Sequence, residues 1–382
     1  MERGVDAEKS SQTTKRILIV CQLDRFSNGV RAVEIEGFLR KRGHYVCHVN
    51  TYFLSRGSSN RRSLLNKIPG PGFRRAALYA IEAASLVFSR RSEFGRRHMS
   101  YYLLRADCRV RRSALSSMLH LDEFDLVICE TPHDAELLTV PTSARTFYDC
   151  PTPWADEVYF DGRLTERQHA RLRDWELSIF EGVDYLAFWW ESYARYAVDH
   201  SGLSGRNLVT LNHGCWPAAK RAEFSRPPRI VYLGSLGGRS LDLPLLARLS
   251  KLYPHIDVYG GPPPDPALEL NYLGWAPPTV LEQYQLGLIT STEDELRQYG
   301  FSAKHPQYLA YGLPVLVPAA RRYLDLLRGS VPYDEQTFLD VVEALGDEEE
   351  WRRTSDEAYA QAQRLVWDET LRPLEALLDH LG

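Results

Sequence analysis

The chain has 382 residues, 44% hydrophobic and 25% charged, with a formal net charge of −4. That length is too great for one ordinary core and suits two domains of roughly 150–200 residues each, with the composition of a soluble globular protein. No run of about 18 apolar residues occurs, which argues against a membrane-spanning helix.

In chain order, residues 1–15 are polar and charged with no apolar core, a disordered lead-in rather than a secretory signal. Arg16 to Leu23 is a continuous apolar run of the kind found in a central parallel strand. A polar loop from Asp24 to Gly29 leads into a helix with apolar positions Val30, Val33, Ile35, Phe38 and Leu39, stopped by Gly43. Tyr45 to Val49 is the next strand, which makes a βαβ unit. Further strands are expected at Phe124–Glu130, Ala144–Tyr148 and Tyr185–Phe188. Residues 51–120 interrupt this alternation as an insertion, with a turn-rich piece at Ile68–Gly72 and helical spacing through Phe73–Phe88.

The alternation restarts at Arg229–Gly234, a buried strand. The loop Ser235 to Arg239 follows, then a helix from Asp242, a suitable N-cap, to Leu252. Strands at Ile256–Tyr259, Gly287–Ile289 and Val315–Val317 complete a second α/β unit. Between the last two lies Ser302-Ala-Lys-His-Pro-Gln-Tyr-Leu-Ala-Tyr-Gly-Leu-Pro-Val-Leu316, read as a loop, a compact helix over Ala303–Tyr311, a stop at Gly312 and a buried strand. Lys304 falls in the first turn of that helix, where a cation opposes the dipole unless an anion binds there. Two doubly wound domains facing one another place a cleft outside the carboxyl ends of both sheets. Arg239 and Lys304 follow strand ends on one side of the second sheet, where two cations would stabilise a diphosphate leaving group.

The Lys304 segment resembles the nucleotide-sugar signature of GT-B glycosyltransferases, especially the retaining, family-four-like group (glycosyl transferases group 1). Asn212-His-Gly-Cys215, Tyr272-Leu-Gly274 and Trp367-Asp368 resemble further landmarks of that group, so the likeness runs from about Arg16 to Leu378. It implies a GT-B architecture of two Rossmann-like domains: residues 16–205 on the acceptor side, 206–365 binding the nucleotide sugar, and 366–382 a helix crossing back to the first domain. It implies transfer of a sugar from a UDP- or GDP-linked donor to an unidentified acceptor, with retention and without a metal or other cofactor. By the same likeness Arg239 and Lys304, with Gly238, Ser302 and Ala303 around them, hold the donor diphosphate. Gly29 closes near the sugar phosphates, and Gln307 reaches the ribose hydroxyls. The group usually carries Glu at the Gln307 position and another about two turns earlier, where this chain has Tyr299. Gln can still exchange hydrogen bonds with a ribose hydroxyl, without charge.

In the first half, His133 and Glu130 follow the strand Leu126–Glu130, and Asp149 ends the strand before the aromatic loop Cys150–Trp154. His133 is the candidate for contact with the donor sugar, and all three are candidate catalytic groups; a carboxylate that ends a buried strand is either functional or paired with an arginine. No Asp-x-Asp pair or histidine spacing supports a metal site. Six scattered cysteines without a C-x-x-C pair read as buried free thiols in a reducing cytosol.

Between Arg56 and Arg112 there are fourteen Lys or Arg and three acids. Three readings stand: a solvated arginine-rich face, docking on an anionic membrane to reach a lipid-linked acceptor, or recognition of an acidic soluble acceptor, with nucleic acid the weakest. The chain is thus expected in the cytoplasm, with peripheral contact at a membrane under the second reading. Two other functions share the architecture: a nucleotide-sugar epimerase, and a non-catalytic binding or auxiliary protein.

Overall fold

The computed structural model describes residues 14–22, 30–51, 93–237, 241–300, 302–323 and 327–381. The Gly29 turn, the Phe73–Phe88 stretch, Gly238 and Arg239 lie outside these residues.

The apolar run at the start becomes β1 (Arg16–Cys21), buried at every position after the first. It pairs in parallel with β2 (Tyr45–Asn50) on one side and β3 (Leu126–Cys129) on the other. β4 (Arg145–Cys150) and β5 (Tyr185–Phe188) extend the sheet in parallel, in the order β2-β1-β3-β4-β5. α1 (Val30–Lys41) buries Ala32, Ile35, Phe38 and Leu39 against this sheet, and the chain leaves it through Gly43 at a φ of +83°. α2 (Glu93–Ser116) is the described part of the insertion. α3 (Trp154–Phe160), α4 (Glu166–Gly182) and α5 (Glu191–Ser201) follow. Thr165 and Gln168 start α4 with a capping box, each side chain bonding the other residue's backbone N–H.

The second sheet contains β6 (Ile230–Leu233), β7 (Ile256–Tyr259), β8 (Asn271–Tyr272), β9 (Leu286–Leu288), β10 (Val315–Pro318) and β11 (Ser330–Tyr333). All its pairings are parallel, in the order β11-β10-β9-β6-β7-β8. α6 (Leu243–Leu252), capped by Asp242, follows β6, while α7 (Glu295–Tyr299) and α8 (Lys304–Ala310) lie between β9 and β10. α9 (Phe338–Ala344) and α10 (Glu348–Gln363) close this domain.

The chain passes between the domains twice, and the two crossings pair: Cys215 N–H donates to Leu365 O at 2.8 Å and Trp367 N–H to Cys215 O at 3.3 Å. Beyond them α11 (Trp367–Thr370) and α12 (Pro373–Asp379) return to the first sheet. Trp367, Leu371, Leu374, Leu377 and Leu378 share one buried cluster with Ile17, Ile19, Phe38, Ile128 and Phe147. The landmark residues Asn212–Cys215 and Trp367 therefore meet at the hinge. A Cβ on Gly214 would lie 2.5 Å from Trp367 Cδ2, and the His213 ring is enclosed by Trp189, Trp190 and Trp367. Burial there lowers the His213 imidazole to about 3, so it stays neutral.

Among the described residues no helix is long and apolar enough to cross a membrane, and all six cysteines are free.

Candidate functional site

Strand order locates the site before any side chain is considered. In the first sheet the winding reverses between β1 and β3, in the second between β6 and β9. Loops leaving the carboxyl ends of strands at such a reversal form the crevice where doubly wound sheets bind ligands. The relevant exits are the turn after β6, which begins at Gly234, and the loop after β3, which carries Glu130 and His133.

At the β6 exit the Lys304 side chain runs from the start of α8 back across Gly234, so closely that a Cβ on Gly234 would overlap Lys304 Cε. Its ammonium donates to Tyr232 Oη at 3.1 Å and stands 4.6 Å from the centroid of that ring. The unfavourable first-turn charge expected from sequence thus has a partner within the protein: the hydroxyl and the face of Tyr232. α8 is fixed by the next residue on the same face, since Tyr308 Oη accepts the Leu233 N–H at 2.8 Å. Ser302 and Ala303 precede the helix; Ser302 Oγ accepts the Lys304 N–H at 3.4 Å, and Ala303 is exposed. Gln307, one turn on, is half-buried, and its amide is turned to the hinge: Oε1 accepts Trp216 N–H at 3.3 Å and Nε2 donates to Trp216 O at 3.4 Å.

The three first-domain candidates separate. Asp149 has no exposed surface, and both its oxygens accept from Arg31, at 2.6 and 2.9 Å. It is a counter-charge to Arg31 rather than a group presented to an acceptor, because it has no exposed surface and both its oxygens are taken. Arg31 also donates to the carbonyls of Leu211 and Asn212 at 2.5 and 2.8 Å, so this pair ties α1 and β4 to the first crossing. Glu130 is also buried, with Oε1 lacking a hydrogen-bond partner. Burial and then the Asp149 charge push its carboxyl well above the carboxylate range, against the pull of Arg31; burial also raises Asp149, which Arg31 opposes by charge and by hydrogen bonding.

His133 alone of the three keeps an open edge, its side chain 30% exposed. Its Nδ1 lies 3.1 Å from Asp107 Oδ2, and its ring meets Trp154 edge-on at 5.1 Å. Burial works against ionisation of Asp107, yet His133 and Arg111 hold its carboxyl well below the usual range. Arg111 in turn bridges Asp107 and Asp134 at 3.0 and 3.1 Å. Arg105 stacks 4.0 Å over Trp175 and faces Glu136. These two members of the basic span are therefore internal ties of α2 and not part of a solvated face.

The domains touch through α7. Arg297 pairs with Glu157 of α3 at 3.3 Å, and His200 of α5 meets Tyr299 Oη at 3.1 Å. Gly300 packs so tightly on Tyr193 that a Cβ there would overlap the phenol. Tyr299 therefore faces the first domain.

Trp275 was not singled out by sequence. It is 76% exposed beside Gly274, whose carbonyl accepts Gly260 N–H at 2.8 Å, and Gly260 in turn lies against Gly234. The loops after β6, β7 and β8 thus form one continuous rim from Lys304 to an open indole. The available signal was a tryptophan between a glycine and two prolines, Pro277 and Pro278. Among the described residues no group of three or more His, Cys, Asp or Glu could hold a metal ion.

No protein-family model matches the sequence, and no curated protein does. Solved structures match across nearly the whole length. A sucrose-phosphate synthase from Thermosynechococcus elongatus superposes with a TM-score of 0.65 at 11% identity, over 96% of this chain and 99% of its own. The OtsA apo structure gives 0.62 at 14%, over 96% and 99%. A glycosyltransferase from Rickettsia africae ESF-5 gives 0.59 at 12%, over 96% and 98%. The chain has the GT-B fold. Within this GT-B protein the Lys304 rim belongs to the second Rossmann-like domain and the His133 loop to the first.

Proposed function

We propose that this GT-B protein transfers a sugar from a nucleotide-sugar donor, UDP- or GDP-linked, to an acceptor. The observation that carries the reading is the Lys304 ammonium, held at the β6 exit beside the winding reversal of the second sheet. A fixed cation there meets the negative charge that develops on a departing nucleoside diphosphate. Arg239, Gly238, Ser302 and Ala303 would complete that contact, Gly29 would approach it from the first domain, and Gln307 would reach the ribose. Trp275 offers an aromatic surface for the base. His133 is the first-domain group with access to the sugar. Retention without a metal follows from the likeness to the family-four group. The acceptor is an anionic or lipid-linked molecule if the cations of the basic span from Arg56 to Arg112 take part.

Thermal unfolding with UDP, GDP, ADP and TDP tests the reading, with Lys304→Ala and Arg239→Ala beside the wild type. A ligand at about 100 times its Kd adds roughly 2.7 kcal/mol to stability. Stabilisation of the wild type by one nucleotide and of neither variant supports the donor site and names the base; no stabilisation by any of them counts against it. Conversion of a donor sugar without any acceptor would indicate an epimerase instead.

One observation favours a non-catalytic reading. Gln307 is engaged with Trp216 and Tyr299 with His200, so both positions that carry carboxylates in the resembling group are occupied by internal contacts. Nucleotide binding without turnover of any donor would support that alternative.

A further inference from the structure

Lys304 is a flexible side chain that the protein has placed in one position, and the residue that does so lies outside the helix carrying it. Tyr232 is fully buried in β6. Its hydroxyl proton is committed to Ser235 O at 3.1 Å, so the lone pairs of Oη are what the Lys304 ammonium meets at 3.1 Å. The ring supplies a second contact, 4.6 Å from Nζ to the centroid. Gly234 leaves the groove through which the aliphatic stem passes, and Gly260 backs Gly234 so closely that a Cβ on Gly260 would lie 2.8 Å from Gly234 O. Tyr232, Gly234 and Gly260, from β6 and the exits of β6 and β7, thus define one seat for one ammonium, which keeps its other two N–H donors.

We propose that Tyr232 is a positioning residue that pre-orients Lys304 for the diphosphate of the donor. The inference rests on the function proposed above. Fixing a lysine side chain costs rotamer entropy. With Tyr232 in place that ordering is complete before the ligand arrives, which appears as ligand affinity. Tyr232→Phe keeps the ring and removes the hydroxyl, which accepts from Lys304 and donates to Ser235 O; the Lys304→Met background separates the two losses.

Isothermal titration with UDP, GDP, ADP, TDP, the matching nucleosides and inorganic pyrophosphate tests this on four proteins: wild type, Tyr232→Phe, Lys304→Met and the double variant. Tyr232→Phe should raise the Kd of the bound diphosphate about 5- to 10-fold and leave the nucleoside unchanged, and its effect should vanish in the Lys304→Met background. Gly234→Ala, which pushes the stem out of the groove with Tyr232 intact, should reproduce the loss. An unchanged diphosphate Kd in Tyr232→Phe overturns the inference alone. So does a loss that persists without Lys304 or that extends to the nucleoside, since either marks a general effect on the domain. A wild type that binds no diphosphate overturns the proposed function and this inference together.

Discussion

Replacing Asp149 by asparagine removes the counter-charge of Arg31 and leaves the guanidinium where it is. Neither side chain has exposed surface, so water cannot take over the lost partner. The asparagine amide would also present N–H groups to N–H groups at one of the two oxygens that now accept from Arg31. Breaking a buried pair from one side costs about 3–5 kcal/mol. The loss should fall near the low end, about 3 kcal/mol, because Glu130 stands close enough to feel both charges and can ionise once Asp149 is neutral. In a domain of this size each kcal/mol moves the transition by about 2–4 °C, so Asp149→Asn should unfold roughly 6–12 °C lower. Circular dichroism melts and urea titrations of the variant read this directly. The deficit should narrow as pH rises and Glu130 gives up its proton. A loss under about 1 kcal/mol would show that Asp149 is not the counter-charge of Arg31, and would return it to the candidates for chemistry.

The remaining expectations are narrower. Glu176 accepts the backbone N–H groups of Trp154 and Ala155 at 2.8 and 3.1 Å, yet burial raises its carboxyl to about 8. Folding then takes up a proton, so this residue's contribution is full below its unfolded value near 4.5 and is lost as pH rises through about 8. Urea midpoints at pH 5 and pH 8 should diverge for the wild type more than for Glu176→Gln, and equal slopes would refute the assignment. Arg297→Met removes the ion pair between α7 and α3 and should enlarge the radius of gyration measured by small-angle scattering; an unchanged radius means the packing of Gly300 on Tyr193 alone holds the domains together. Trp275→Ala should weaken the bound nucleotide by about 1–3 kcal/mol without changing pyrophosphate affinity, and an equal loss for both would remove it from the base contact.

Much of the architecture was legible because buried parallel strands write themselves as continuous apolar runs. β1, β3 and β6 lie within expected segments, β10 runs one residue past its expected end at Val317, and the helix expected at Ala303–Tyr311 is α8, Lys304–Ala310. β8 and β11 escaped notice for opposite reasons. β8 is two residues long at a sheet edge, too short for any period, whereas β11 carries Pro332, which on an edge strand costs no ladder bond. At the candidate site Lys304 stood out in the sequence, while its partner did not. Lys304 and Tyr232 are 72 positions apart, and Arg31 and Asp149 are 118 apart. Sequence spacing within one helix or strand carries no information about such pairs; only strand order brings them together. For the same reason Asp149 reads as a strand-end carboxylate open to substrate until Arg31, on the helix after a different strand, is seen to cover it.

The return of α11 and α12 to the first sheet has a consequence for how the protein is made. Ile17, Phe38 and Phe147 leave the ribosome before the second domain, and the leucines that cover them leave after it: Leu371, Leu374, Leu377 and Leu378. Throughout the synthesis of the intervening second domain, one face of the nascent first domain stays without its cover. A chain cut short just after Trp367 would thus keep every element of the second sheet and its helices, and lose the leucine cover of the first.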